Sequence, residues 1–265
     1  MISDANINAA IKAIKQHGGL ILQDLPKNVQ NAHSVIFAAV RDNFNATKFI
    51  DVGLLNNKKF IIDLMRVNPD AYHHLPHDLK TSPRVAIEVV SQQEAYMFRH
   101  LHPVMKDNFS VCAATVKENG LIIQHMSNSM RDNMAIIMMA IENTLGAFEY
   151  IAMKHRNNSC LMLHAIGISP IAMKYAGRNL TRNFKFLDEA VALNVDVLNY
   201  TPGYVNENYD FMIGAINADG MAIIYMSDDL RANLNIAKSA VMHNPELLMY
   251  VSPELHENPQ ILALI

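Results

Sequence analysis

Asparagine recurs at a step of 25 residues along this 265-residue chain, at Asn108, Asn133, Asn158, Asn183, Asn208, Asn233 and Asn258. Asn fills 27 of the 265 positions, so seven in one register are not an accident of composition. A fixed period of this length marks a repeat architecture. Other columns keep the same step. Ala140, Ala165, Ala190, Ala215 and Ala240 are each followed by a branched apolar residue. Ten residues after each alanine stands a tyrosine: Tyr150, Tyr175, Tyr200, Tyr225 and Tyr250. A further apolar column, Met130, Leu180, Val205, Leu230 and Leu255, is broken by His155. Toward the N-terminus Asn6, Asn31, Asn57, Ser82 and Asn108 continue the series at steps of 25, 26, 25 and 26. There the tyrosine column becomes His74, His100 and His125. Ten units are expected within one repeat domain spanning residues 1–265. The register is best over 108–258 and more divergent over 6–107.

The unit from Asn233 predicts two helices. Ile236, Ala237, Ala240 and Val241 share one helical face, and Asn233 is placed to cap the helix start by accepting from a backbone N–H. About eleven residues on, Asn244-Pro245 opens a second segment, as do Ser169-Pro170 and Asn68-Pro69. A capping residue followed by proline reads as a helix beginning. That segment carries Leu247, Leu248 and Val251 on one face, and Ser252-Pro253-Glu254-Leu255 reads as a turn. Helices of about ten and seven residues are not stable alone in water. Neighbouring units must therefore stack, which predicts an all-α fold, an α-solenoid of about ten 25-residue two-helix repeats. The alanine column lets one helix approach the next, and the 17 methionines suit gap filling between imperfect copies.

The unit from Asn233 to Asn258 resembles the repeat of the domain-of-unknown-function 4116 family. It shares the capped helix with its Ala240-Val241 pair, the Leu-rich segment ending in Tyr250, and the Ser252-Pro253-Glu254-Leu255 run before the next cap. The resemblance is best over residues 108–258. It implies a helical-repeat fold and no catalytic residues, since the family has no assigned activity. Repeats of this kind occur in intracellular pathogens and in protists. The resemblance thus implies a bacterial effector meeting a host protein, in the cytoplasm or in a host cell reached without a classical signal peptide.

Composition narrows the function classes. With 22 Lys+Arg against 25 Asp+Glu the net charge is −3, and the sequence reading finds no repeating Lys/Arg position, which counts against nucleic acid as partner. The longest apolar run, Met134 to Ile141, is too short to cross a membrane, and the N-terminus has no basic region leading into an apolar segment. Two cysteines, Cys112 and Cys160, form no disulfide framework and read as buried, inert thiols. No phosphate loop, metalloprotease motif or nucleophile elbow is present, so no catalytic residue, cofactor or metal is expected. The histidines His73, His74, His77, His100, His102 and His125 are the nearest approach to a metal cluster. His replacing Tyr as a half-buried ring is the simpler reading.

The binding candidates left by this search are His74, Arg99, His100, His102 and His125. The tyrosine column reads either as packing or as a row of aromatic contacts. Residues 1–132 carry a net charge of +2 and residues 133–265 one of −5, a bias that acts on partner encounter. The apolar run Ile261 to Ile265 suggests a continuing array or an edge covered by another molecule, which makes self-association there an alternative. The function expected is a non-catalytic scaffold that binds a protein partner. A helical-repeat RNA binder, an enzyme with its site in the solenoid's concavity, and a self-assembling fragment are the alternatives.

Overall fold

Tyr209–Ala218 shows how one unit is built in the computed structural model, which describes residues 3–265 apart from the side chains of residues 92–96. Asn208 adopts an extended conformation and its side chain accepts from the Phe211 N–H at 2.9 Å. Phe211, Met212, Ala215 and Ile216 form the buried stripe of this ten-residue α-helix. The helix ends at Asp219, whose backbone is again extended and whose carboxylate accepts from the Met221 N–H at 2.9 Å. Asp219 thereby closes one helix and opens the next.

The next element, Gly220–Tyr225, is a 3-10 helix rather than the short α-helix expected. Its sequence explains why. Gly220, Ile223 and Met226 are buried at a step of three, the period at which 3-10 side chains align. Gly120, Ile123 and Met126 repeat the pattern. A third element, Asp228–Arg231, is a single α-helical turn at the place in the unit where the run Ser252 to Leu255 reads as a turn. Most units are therefore a ten-residue α-helix, a six-residue 3-10 helix and a one-turn α-helix. No strand occurs among the described residues.

All seven asparagines of the 25-residue column cap helices by side-chain acceptance, as does Asn57. Asn6 and Asn31 do not. The first helix, Asp4–His17, is capped by Ser3, with Asn6 in its first turn. Asn31 ends a short helix, and Ala32 opens His33–Asp42. With Ala32 in the column the steps to Asn57, Ser82 and Asn108 become 25, 25 and 26, so one of the two slips read from the sequence disappears. The remaining extra residue falls in Pro83–His100, an 18-residue α-helix that replaces the usual helix-turn-3-10 sequence. The chain there reads Ser91-Gln92-Gln93-Glu94, without the Asn, Asp, Pro or Gly that breaks the helix in other units.

The chain folds as two compact units, Met1–Tyr150 and Ile151–Ile265. Within each, long helices pack on the long helices of neighbouring repeats and 3-10 helices on 3-10 helices. The buried alanine column lies at these helix contacts: Ala140, Ala165, Ala190 and Ala240 are fully buried and Ala215 nearly so. Ile14 holds the corresponding place in the first helix, since its carbonyl accepts the Gly18 N–H as that of Ala39 accepts the Asn43 N–H. Gly18 has φ 91°, a left-handed value that suits glycine at a helix end.

A backbone ladder joins successive one-turn helices. Ser127 N–H donates to Lys106 O at 3.2 Å, Gly177 to Arg156 at 2.8 Å, Ser227 to Asn206 at 3.2 Å and Ser252 to Arg231 at 3.0 Å. Pro202 stands at the donor position of this ladder and has no N–H. There the Tyr204 hydroxyl takes over, donating to Thr181 O at 2.6 Å.

Candidate functional site

The surface with the most varied chemistry lies on the 3-10 helices. Their third and fourth residues are buried in most units, as in Ala46-Thr47, Ala71-Tyr72, Ala147-Phe148 and Ala222-Ile223. The second, fifth and sixth residues remain at least partly exposed in most units. Because 3-10 helices of neighbouring repeats pack together, these outer positions form rows along each unit.

In Met1–Tyr150 the rows are basic and imidazole-rich. The His73 and His100 rings meet edge to face at 5.1 Å. His74 stacks on Phe44 at 5.6 Å and contacts Asn45 Oδ1 through Nε2 at 3.0 Å. Lys80 Nζ donates to His73 O at 2.7 Å, and Lys106 Nζ to Arg99 O at 2.5 Å. Burial lowers the His73 pKa, with His100 and Lys80 adding to the effect and Asp70 opposing it. Burial likewise lowers His74, helped by Lys48, His73 and Lys80, and lowers His125, helped by Arg99 and Lys106. Burial also lowers the pKa of Lys106.

Of the candidates read from the sequence, His74, Arg99, His100 and His125 thus fall on one basic row. His102 is separate. Its Nδ1 accepts from the Val104 N–H at 3.4 Å, and its ring meets His77 edge to face at 5.0 Å. Among the described residues no group of three or more His, Cys, Asp or Glu is placed to hold a metal ion.

In Ile151–Ile265 the same positions are aromatic, apolar and acidic. Tyr175, Tyr200, Tyr225 and Tyr250 are half-buried. Lys174 Nζ lies 5.0 Å from the centre of the Tyr200 ring. Tyr225 Oη donates to Asp196 Oδ1 at 2.6 Å, and its pKa is pushed up to about 12 by burial and by that carboxylate. The pairing repeats that of His74 with Asn45, each reaching 29 residues back. Ile171, Met221 and Met249 expose apolar surface beside this row. Tyr150, at the end of the other unit, is 37% exposed.

Two readings from the sequence need correction. Cys112 is buried, with its thiol pushed up to about 12 by burial, but Cys160 is exposed at the second position of its helix. A basic column also exists. Lys80, Lys106, Arg131, Arg156 and Arg231 each end a one-turn helix. Lys80 and Lys106 donate to carbonyls near the end of the preceding helical segment, as the amides of Gln30 and Asn206 do to Leu22 O and Leu198 O. Arg131 and Arg231 instead donate to Asn128 Oδ1 and Asp228 Oδ1 in their own turns, and a 25-residue alignment of the helix ends would have revealed the column.

An all-helical repeat protein is the class these features define. Residues 208–256 match the model of a family described as a domain of unknown function (DUF4116). The matched span begins at the cap Asn208 and runs through two successive units. No curated protein and no solved structure matches the chain. Among the described residues no helix is long and apolar enough to cross a membrane.

Proposed function

We propose that this chain is a non-catalytic scaffold that binds a protein partner through the outer positions of its 3-10 helices. The observation that carries this reading is the division within each 3-10 helix. Inner positions stay small or apolar from repeat to repeat, while the second and fifth change from Asn45 and Lys48 to Asp196 and Asn199 to Met221 and Ile224. Packing columns stay alike between copies; a recognition surface differs from copy to copy. Repeat arrays use such surfaces for binding. Through the family resemblance, the setting we favour is a bacterial effector acting on a host protein.

The test is affinity capture with mass spectrometry from eukaryotic and bacterial lysates. The wild-type chain is compared with the Ile171→Ser, Met221→Ser, Met249→Ser variant, whose changed residues are exposed. The expected result is a eukaryotic protein held by the wild type and lost by the variant, or by a variant of the basic row. Recovery of RNA alone, or of nothing that depends on either face, would contradict the proposal.

A further inference from the structure

At Pro76 the backbone ladder between one-turn helices is broken. Ser127, Gly177, Ser227 and Ser252 each donate an N–H to the carbonyl 21 residues back. Pro76 holds the same place relative to Leu55 and has no N–H. Where Pro202 leaves this gap, Tyr204, two residues on, donates its hydroxyl to Thr181 O at 2.6 Å. Two residues after Pro76 stands Asp78, whose carboxylate accepts hydrogen bonds and does not donate them. Among the described residues no group donates to Leu55 O.

A cleft of about 390 Å³ opens at this gap, between Val52–Leu55, His77–Lys80 and the starts of Lys58–Val67 and Pro83–His100. Ligand sites run from about 300 to 1,000 Å³. Leu55, Ile62 and Val85 are buried in its wall, and Leu79 is half-buried beside them. Lys58 and Arg84 line it from exposed positions, one on each long helix, and Asp78 is the acid of its lining. Among the described residues none from a 3-10 helix lines it, so the cleft is separate from the surface of the scaffold reading.

The cleft asks for three groups at once. The Leu55 carbonyl faces the place of a missing N–H. The apolar wall takes a hydrophobic side chain. Lys58 and Arg84 take a carboxylate, which the guanidinium fork can hold through two hydrogen bonds. The last residue of a polypeptide carries all three on one Cα: an amide N–H, a side chain and a free carboxylate.

We propose that this cleft binds the C-terminal residue of a partner polypeptide. That residue is apolar; its N–H donates to Leu55 O, its side chain packs on Ile62, Leu79 and Val85, and its carboxylate pairs with Lys58 and Arg84. Asp78 disfavours an acid at the residue before it and favours a lysine there.

The probe is a fluorescein-labelled peptide ending in Gly-Gln-Lys-Leu with a free carboxylate, and its binding to the full chain is followed by anisotropy. The C-terminal amide of this peptide should bind at least tenfold more weakly. A peptide ending in Ser, and one with an ester in place of the last amide, should each bind at least fivefold more weakly, and Glu in place of Lys should also weaken binding. Lys58→Gln with Arg84→Gln, both at exposed positions, should weaken binding at least tenfold while the circular-dichroism spectrum stays unchanged. Pro76→Ala restores an N–H opposite Leu55 O, so it should raise the melting temperature and weaken binding at least fivefold. Binding of the amide, the ester or the double variant as tight as that of the reference pair would overturn the proposal. So would N-acetylleucine binding as tightly as the peptide, or no saturable binding of the peptide at millimolar concentration. None of these outcomes bears on capture through the Ile171, Met221 and Met249 face, so this site and the scaffold reading fail separately.

Discussion

The Tyr72 hydroxyl stands between two repeats: it accepts from the His102 N–H at 3.0 Å and donates to Lys80 O at 2.8 Å. At Ser127, Gly177, Ser227 and Ser252 the ladder between one-turn helices is a direct backbone bond, such as Ser127 N–H to Lys106 O. The repeat containing Pro83–His100 is one residue longer than its neighbours, and here the phenol oxygen completes the bridge. Tyr72 is almost wholly buried. Tyr72→Phe should destabilise the chain by about 1–3 kcal/mol, because a donor and an acceptor lose their shared partner. Denaturant unfolding checks this, and a neutral outcome would remove the hydroxyl from the ladder.

Capping separates true from apparent repeat starts. Asn208→Ala should cost about 1 kcal/mol, since its side chain accepts from the Phe211 N–H. Asn6→Ala, inside a helix capped by Ser3, should stay within about 0.5 kcal/mol of wild type. Chemical denaturation of both variants decides the point, and equal costs would mean that the N-terminal register is misassigned.

Glycine positions divide in the same way. A Cβ built at Gly120 would come 2.3 Å from Ala140 O, a backbone atom of the next repeat. Gly120→Ala should cost roughly 1–3 kcal/mol or more by forcing the two apart. Ala215→Leu, at a buried site, should cost about 1–3 kcal/mol for a similar reason. At the exposed helical Gly214 a Cβ meets nothing within 4 Å, so Gly214→Ala should stabilise by about 0.5–1 kcal/mol. Thermal melts of the three variants should fall on opposite sides of wild type. A stabilising Gly120→Ala would refute the close approach.

Much of this was legible in the sequence. The period, the asparagine caps from Asn108 onward and the alanine column all follow from side-chain types at fixed steps. The 3-10 helix was not legible, because a six-residue segment with Leu247, Leu248 and Val251 fits an α-helical face as well as a step of three. The false start at Asn31 arose because a side chain that ends a short helix sits one residue before the true cap, Ala32. The candidate row was half visible. His74, Arg99, His100 and His125 lie on it; Lys48 shares the column of His73 and Arg99, and Lys80 and Lys106 lie in the separate column of helix ends, so no single column shows the whole row.

The basic row also predicts how stability responds to pH. The pKa values of His73, His74 and His125 are lowered in the folded chain, mainly by burial and further by nearby cations. The unfolded chain therefore takes up protons more readily. Their contribution is fully present above pH about 6.5 and is lost as pH falls through and below that value. Between pH 7.5 and 5.5 the wild-type melting temperature should fall further than that of the His73→Gln, His74→Gln, His125→Gln variant. Equal falls would show that these rings do not govern the response.

The central claim is that the 25-residue unit is the structural quantum of this chain. Deleting residues 208–232 joins Glu207 to Asn233 and leaves every remaining cap and ladder position in register. Deleting residues 208–219 removes one helix and breaks the register. Circular dichroism and thermal unfolding of the two deletions compare them directly. A repeat array predicts that the 25-residue deletion keeps cooperative, all-helical folding with a modestly lowered melting temperature, while the 12-residue deletion loses it. If both deletions unfold the chain alike, or both are tolerated alike, the account is wrong.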